Sequence, residues 1–239
     1  MLDILLDILF PRRACCLCRR PGFYWSGSPW CDECQNKMEE SRERLNICAR
    51  CGKFLTDDQP LCKECQEVDP PFFIARAVGP YQGCHRQIIK QYKFMEKRFL
   101  SWSMAKMMAR LVRDNKDYWP LDIVVPVPMS REGLIRRGFN QSELLASRIA
   151  RDLKVKYDPH ILLRIKDSSP QRELSKEMRE KNLMNAFVIS KPERVRGKNI
   201  LLVDDVYTTG STAKECTRTL LKAGANRVCV ISWASGKGF

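Results

Sequence analysis

The sequence predicts an α/β protein with a mostly parallel sheet and flanking helices, preceded by a small cysteine-rich domain. Nine of the 12 cysteines lie before residue 70, and eight of these form four pairs with the spacing Cys-x-x-Cys. After residue 70, apolar runs of strand length alternate with helical patterns, as in proteins built on a parallel sheet. Pro70 and Pro71 end any helix before them and stiffen the link, so we place the domains at residues 1–69 and 70–239.

Residues 1–10 are apolar, but they contain Asp3 and Asp7 and have no basic start. This pattern favours a short amphipathic helix over an export signal. No apolar run in the sequence approaches the ~18 residues that a membrane span requires. Without an export signal we expect reduced cysteines and a cytoplasmic location.

The spacing of the cysteine pairs predicts two Zn²⁺ sites, because two thiolates in a tight turn bind one ion. The predicted ligands are Cys15, Cys18, Cys31, Cys34, Cys48, Cys51, Cys62 and Cys65. We favour sequential pairing, in which the first two pairs bind one ion and the last two pairs bind the other. A cross-braced arrangement, first with third and second with fourth, stays open. Since thiolates supply all four ligands of each site, the zinc is structural and contributes folding energy to a segment with little core.

The net charge of +14 is unevenly distributed along the chain. Residues 1–70 carry 10 Lys and Arg against 12 Asp and Glu, so the basic excess lies in the second domain. A strongly basic domain is typical of proteins with polyanionic partners, either nucleic acid or a phosphorylated substrate. A basic surface without a specific partner is the alternative.

The second domain reads as alternating strands and helices. Strands are predicted at residues 72–78, 121–127, 187–190, 200–205 and 227–233. Helices are predicted at residues 81–97, 104–112, 138–153 and 212–224. The first of these helices places Tyr92 and Met95 on its apolar side and Lys93 on a basic side that we interpret mainly as a solvated face.

Residues 200–212 read ILLVDDVYTTGST and place Asp204 and Asp205 at the carboxyl end of a buried strand. A loop of small hydroxyl residues and one glycine follows, before the next helix. The loop comprises Thr208, Thr209, Gly210, Ser211 and Thr212. Its hydroxyls and the N–H groups at the helix start are donors for a phosphate, and the glycine allows a close approach. The carboxylates fit a vicinal diol, such as the 2′- and 3′-hydroxyls of ribose, or a nearby Mg²⁺.

This segment resembles the phosphoribosyl pyrophosphate (PRPP) motif of type I phosphoribosyltransferases. The resemblance implies a type I phosphoribosyltransferase-like sheet, with PRPP as the ligand and Mg²⁺ bound beside it. It also implies that Asp204 and Asp205 are the catalytic pair, and that they bind PRPP together with the loop at residues 208–212.

A second segment, VPVPMSREGLIRRGFNQS at residues 125–142, lies where that family carries its pyrophosphate loop. Backbone amides at Met129, Ser130 and Arg131 are candidates to hold pyrophosphate, with the Arg131 guanidinium to neutralise it. Arg136 and Arg137 add fork-shaped donors suited to phosphate or nucleic acid. The run RRGFNQ is similar to the signature of the ComF family (competence protein F, including GntX-type members). That family joins a cysteine-pair zinc module to a phosphoribosyltransferase-like domain, so the resemblance covers nearly the whole chain.

Residues 164–187 are polar and basic and resemble the family's flexible loop, which folds over the active site in transferases. Its candidates for contacts to PRPP or to a strand of nucleic acid are Lys166, Gln171, Arg172 and Arg179. A solvated loop between two strands is the alternative. His85 and His160 have no sequence partner for nucleophilic catalysis.

The resemblance implies a PRPP-binding protein that acts with single-stranded DNA in DNA uptake, alongside proteins of the uptake machinery. Basic residues would hold the phosphate backbone and aromatic side chains would stack on bases. The aromatic candidates, which core packing would explain equally well, are Tyr81, Tyr92, Phe94, Phe139 and Tyr207. The alternative function is an active phosphoribosyltransferase that transfers phosphoribose from PRPP to a base or another acceptor. The sequence identifies no acceptor-binding hood, so the acceptor and the oligomeric state stay open.

Overall fold

The computed structural model describes residues 13–22, 28–43, 45–94, 97–166 and 185–238. The predicted helix at residues 1–10, Met95 and three of the loop candidates (Gln171, Arg172 and Arg179) lie outside this part of the chain. Among the helices that the structure describes, none has the length and apolar character to cross a membrane.

Short strands and helices form the cysteine-rich segment, and longer ones form the second domain. The described strands are β1 Arg13–Ala14, β2 Pro21–Gly22, β3 Asn46–Ile47, β4 Phe54–Leu55, β5 Ile74–Pro80, β6 Ile123–Pro126, β7 Lys156–Tyr157, β8 Leu162–Arg164, β9 Phe187–Ile189, β10 Asn199–Tyr207 and β11 Arg227–Ser235. The described α-helices are α1 Asp32–Glu43, α2 Lys63–Glu67, α3 Gly83–Phe94, α4 Leu100–Asp114, α5 Arg131–Arg137, α6 Gln141–Leu153 and α7 Ser211–Lys222.

Five of the described strands form one parallel sheet in the order β5-β11-β10-β6-β7. The predicted α/β fold with a mostly parallel sheet is therefore confirmed. Parallel neighbours need crossover connections, which the helices supply on both faces of the sheet. Because these strands run in the same direction, their carboxyl ends share one edge of the sheet, where α/β proteins place their ligands.

Alternate residues of each strand enter two different cores. In β10, Leu201 and Val203 pack under α3, α4 and α6, whereas Ile200 and Leu202 pack on the side of α7. All four side chains are fully buried. A continuous apolar run, rather than an alternating one, is what a strand covered on both faces requires.

The two halves of the cysteine-rich segment pack on opposite faces of the sheet, beside β5 and β11. Trp30 of the first half lies in the core of α3, α4 and α6, with its ring centroid 6.2 Å from that of Trp233 in β11. Leu55 of the second half lies in the core on the side of α7. The second half also reaches the edge strand, where the Ala75 N–H donates to the Arg50 carbonyl at 2.9 Å.

Several boundaries differ from those that the sequence predicts. The first strand of the domain, predicted at residues 72–78, is shifted to Ile74–Pro80, and the helix predicted at 104–112 extends over Leu100–Asp114. Helix α1, within the cysteine-rich segment, is an element that the pattern did not predict. Its buried residues are Cys34 and Met38. Two buried positions are too few to give the sequence a recognisable helical periodicity of apolar residues.

Candidate functional site

Asp204 and Asp205 lie near the carboxyl end of β10, each with its own polar partner. Asp204 Oδ1 accepts hydrogen bonds from Ser142 Oγ at 3.1 Å and from the Asp205 N–H at 2.8 Å. Asp205 Oδ1 accepts from Lys93 Nζ at 2.8 Å, and the two side chains are only 11% and 18% exposed. Lys93, predicted mainly as part of a solvated face, is thus a partner of the acid pair.

The negative charge of the two carboxylates is only partly balanced by nearby positive charge. Burial, and then the neighbouring Asp205 carboxylate, raise the pKa of Asp204 to about 7, although Lys93 acts in the opposite direction. Two adjacent carboxylates with one close ammonium resist full ionisation. The pair therefore gains from a ligand that supplies hydrogen-bond donors or positive charge.

Donors without partners lie beside the pair. Arg137 is partly buried, and its Nη1 donates to Gln141 Oε1 at 3.1 Å. Burial lowers the pKa of Arg137, and the charge of Asp205 acts to raise it. In the part of the chain that the structure describes, neither Arg137 Nε nor the amide nitrogen of buried Gln141 has a hydrogen-bond partner. Buried polar groups are rarely left unsatisfied, so these donors favour a polar ligand or water at this place.

The hydroxyl loop follows β10 directly and leads into α7. Gly210 has a φ of 75°, and a Cβ there would lie 2.2 Å from the Tyr207 hydroxyl oxygen, so the position requires glycine. Thr209 and Ser211 share a hydroxyl–hydroxyl hydrogen bond of 2.9 Å, and Thr208 is exposed. Helix α7 begins at Ser211, which places its first unpaired N–H groups, including that of Thr212, at the loop.

The segment predicted as a pyrophosphate loop lies at the same edge of the sheet but is partly helical. Val127 N–H donates to the Val203 carbonyl at 2.9 Å, which fixes the segment beside β10. Helix α5 begins at Arg131, and Ser130 Oγ accepts from the Gly133 N–H at 3.1 Å as its cap. The Ser130 hydroxyl is therefore already engaged. Met129 is half-buried before it.

The run RRGFNQ has clear structural roles. Gly138, with a φ of 71°, ends α5, and Asn140 caps α6 by accepting from the Ser142 N–H at 3.1 Å. The Asn140 amide also donates to the Val127 carbonyl at 3.3 Å. The helix predicted at residues 138–153 therefore begins only at Gln141, because Gly138 and Asn140 are terminators and caps rather than helical residues. This connection holds Ser142 against Asp204.

The other candidates are spread more widely. Arg136 is exposed on α5, and Lys166 is exposed just after β8.

Tyr92 and Tyr207 are almost completely buried, so the prediction that they stack on bases is wrong. Both rings are packed in hydrophobic cores and are therefore not available at the surface to stack on a base.

The cysteines form two clusters. In each cluster the four Sγ atoms lie within 4.8 Å of one another, and the members follow sequential pairing. A tetrahedral zinc with Zn–S bonds of about 2.3 Å has S–S edges of about 3.8 Å. Three sulfur pairs match that edge: Cys15–Cys34 at 3.8 Å, Cys18–Cys31 at 3.7 Å and Cys51–Cys62 at 3.6 Å. Both clusters fit a Zn²⁺ ion bound by four thiolates.

Comparison with known proteins agrees with both halves of the fold. Residues 5–66 match the model of the double zinc ribbon domain, and residues 140–237 match that of the phosphoribosyl transferase domain. The chain is 32% identical over 221 residues to the DNA utilization protein YhgH of Salmonella typhimurium, covering 90% of this chain and 94% of that protein. It is 30% identical over 220 residues to competence protein F of Haemophilus influenzae, with the same coverage. The chain belongs to the ComF family.

Among solved structures, the glutamine PRPP amidotransferase of B. subtilis, complexed with ADP and GMP, superposes on this ComF-family chain with a TM-score of 0.41. The two are 18% identical, and the match covers 59% of this chain and 30% of that one. The double zinc ribbon confirms the prediction of two Cys₄ zinc sites. Sequential pairing is confirmed, and the cross-braced alternative is wrong.

The second zinc ribbon of this ComF-family chain contacts the element that carries the hydroxyl loop. Glu64 lies between the ligands Cys62 and Cys65 and accepts hydrogen bonds from Lys53 at 2.8 Å and from Lys214 of α7. Burial acts to raise the pKa of Glu64, but the hydrogen bonds from the two ammonium groups hold it at about 2. Glu64 was not among the residues predicted from the sequence, although a carboxylate between two zinc ligands is a visible signal.

Proposed function

We propose that this ComF-family chain binds PRPP with Mg²⁺ at Asp204, Asp205 and the loop at residues 208–212, and that it acts with single-stranded DNA in DNA uptake. The observation that carries the proposal is the acid pair beside the hydroxyl loop, at the carboxyl edge of a parallel sheet. The acids would repel a simple polyphosphate. A phosphorylated ribose offers a diol to the acids and a phosphate to the loop.

Binding in this manner changes the partners of the pair. The ribose hydroxyls donate to the two carboxylates, and Lys93, released from Asp205, becomes available to the pyrophosphate. Met129, Ser130 and Arg131 follow the carboxyl end of the neighbouring strand β6, so they remain the candidates to hold the pyrophosphate. Mg²⁺ would neutralise charge on the pyrophosphate oxygens.

The DNA part of the proposal depends on charge and on the relatives. Two relatives are named for DNA utilization and for competence. The net charge of +14 comes from the region after the cysteine-rich segment, and it favours a polyanionic partner there. Cytoplasmic location stays a prediction from the cysteine pattern.

The second candidate function is phosphoribosyl transfer, which the acid pair beside the hydroxyl loop also supports. In this reaction an acceptor nitrogen attacks ribose C1, the bond from C1 to the pyrophosphate oxygen breaks, and the acceptor's proton passes to solvent, while the acid pair holds the ribose hydroxyls. Transfer therefore requires both the acid pair and an acceptor.

Calorimetric titration of the zinc-loaded chain with PRPP and Mg²⁺ tests the ligand. We expect Asp205→Asn to weaken binding by about 10- to 100-fold, the range for losing a charged hydrogen-bond acceptor. The matched control is Asp122→Asn, whose carboxylate accepts from the Asn199 N–H at the other end of β10. Equal affinities in wild type and Asp205→Asn, or no binding to either, would contradict the proposal.

Release of pyrophosphate separates the two functions. The assay follows PRPP turnover across a panel of free bases, with and without single-stranded DNA. Turnover that requires an acceptor and is lost in Asp204→Asn supports transfer. Tight PRPP binding without turnover under any of these conditions supports a binding protein and rejects transfer to the acceptors tested.

A further inference from the structure

A basic groove lies between the first zinc ribbon and helices α4 and α6. Its volume is about 740 Å³. Five cationic side chains line it: Lys106, Arg110, Arg148, Arg151 and Lys154. Two carboxylates, Asp32 and Asp152, share the lining, so the groove is positive overall.

Most of this positive charge is uncompensated. Asp152 is paired with Arg113 at 2.7 Å, and Arg110 is paired with Asp114 at 3.6 Å. Within the described part of the chain, no carboxylate lies within ion-pair distance of the other four cations. Clustered cations repel one another, so they favour a polyanionic ligand that brings several negative charges at once.

An exposed indole, that of Trp102, lies in the lining of the groove. The Trp102 side chain is 52% exposed, which is unusual for the largest apolar residue. The guanidinium carbons of Arg148 and Arg151 lie 4.1 Å and 4.4 Å from its ring centroid. Arginine held against an aromatic ring is oriented for phosphate contacts, and the exposed half of Trp102 is accessible to a base.

Further arginine–aromatic contacts extend from the groove towards the acid pair. Arg98 lies over Phe139 at 4.6 Å, and Arg137 lies over Phe94 at 5.6 Å. Phe94 is 62% exposed. Helix α6 spans the distance, because Ser142 at its start bonds Asp204 and Arg148 lies about 9 Å further along the axis.

We infer that this groove and the adjoining arginine–aromatic contacts form the surface that binds single-stranded nucleic acid. The inference rests on the proposed function and gives it a location. Unpaired bases stack on exposed aromatic rings and the backbone follows the cations, whereas a duplex hides its base faces. Because α6 contributes residues both to the groove and to the acid pair, a strand bound in the groove lies on the same helix that holds Ser142 against Asp204.

Fluorescence anisotropy with a labelled oligothymidine over a range of salt concentrations tests the surface. We expect Trp102→Ala to weaken binding at least about fivefold, and Trp102→Phe to restore most of it. The double variant Arg148→Gln/Arg151→Gln should reduce the slope of log affinity against log salt by about 1.4. The matched control is Lys191→Gln/Lys198→Gln, which removes two exposed charges outside the groove and should leave the affinity almost unchanged.

The outcomes separate this inference from the proposed function. If wild type binds the strand and the groove variants bind equally well, with an unchanged salt slope, the location is wrong and the DNA-binding proposal stands. If wild type binds PRPP but no single strand, both the location and the DNA part of the proposed function fail. Zinc content and PRPP affinity equal to wild type in each variant show that a loss of strand binding is not a loss of folding.

Discussion

Replacing Asp204 with asparagine should stabilise the ligand-free protein at alkaline pH. Burial and the Asp205 carboxylate raise the pKa of Asp204 from 3.8 to about 7, so the folded chain binds this proton more tightly than the unfolded chain. The resulting stability is fully present below about pH 4 and is lost as the pH rises through 7. At about 1.36 kcal/mol for each pKa unit, a shift of about three units costs about 4 kcal/mol above pH 7. The asparagine keeps an Oδ1 acceptor for Ser142 but carries no charge.

Urea unfolding of the zinc-loaded proteins, from about pH 5 to pH 9, measures this effect. The free energy of unfolding of Asp204→Asn should exceed that of wild type by an amount that grows up to about pH 7 and then levels off. The control variant is Asp205→Asn, whose free energy of unfolding should be lower than that of wild type. It leaves Lys93, whose side chain is 18% exposed, without its carboxylate partner. A difference between Asp204→Asn and wild type that is independent of pH would refute the electrostatic reasoning.

Three other variants test the structure around the site. Asn140→Ala removes the cap of α6 and should lower the free energy of unfolding by about 1 kcal/mol in urea titrations. Burial lowers the pKa of His85 to about 4, so the free energy of unfolding should fall by about 3 kcal/mol as the pH drops from 6.5 to 4. In urea titrations of His85→Gln over the same pH range, this fall should be smaller. Metal analysis should give two zinc ions per chain, and Cys48→Ser should remove one and weaken PRPP binding measured by calorimetry.

Features encoded by neighbouring residues could be predicted from the sequence. An apolar run followed by two acids specifies β10 and its polar end, and Gly210 with its hydroxyl neighbours specifies the turn into α7. The cysteine spacing specifies the zinc ligands. The break between α5 and α6 was also encoded locally, because Gly138 is a typical helix end and Asn140 a typical cap.

Contacts between distant segments could not be predicted in this way. Lys93 and Asp205 are 112 positions apart, and Ser142 and Asp204 are 62 apart. A basic helix face looks the same in sequence whether it meets water or a buried carboxylate. The difference depends on how α3 and α6 pack across the sheet, and a single sequence carries no pairing information for that packing.

The two zinc ribbons support different parts of the second domain. The second ribbon contacts α7, which follows the hydroxyl loop, through Glu64 and Lys214. It also contacts the segment after β11, where the Gly238 N–H donates to the Phe54 carbonyl at 2.9 Å. The first ribbon instead supplies Trp30 and Asp32 to the lining of the basic groove. Since zinc provides most of the folding energy of such small modules, each metal ion stabilises the scaffold of one candidate ligand surface. Loss of the second zinc should therefore first affect the region proposed to bind PRPP, and loss of the first zinc should first affect the groove.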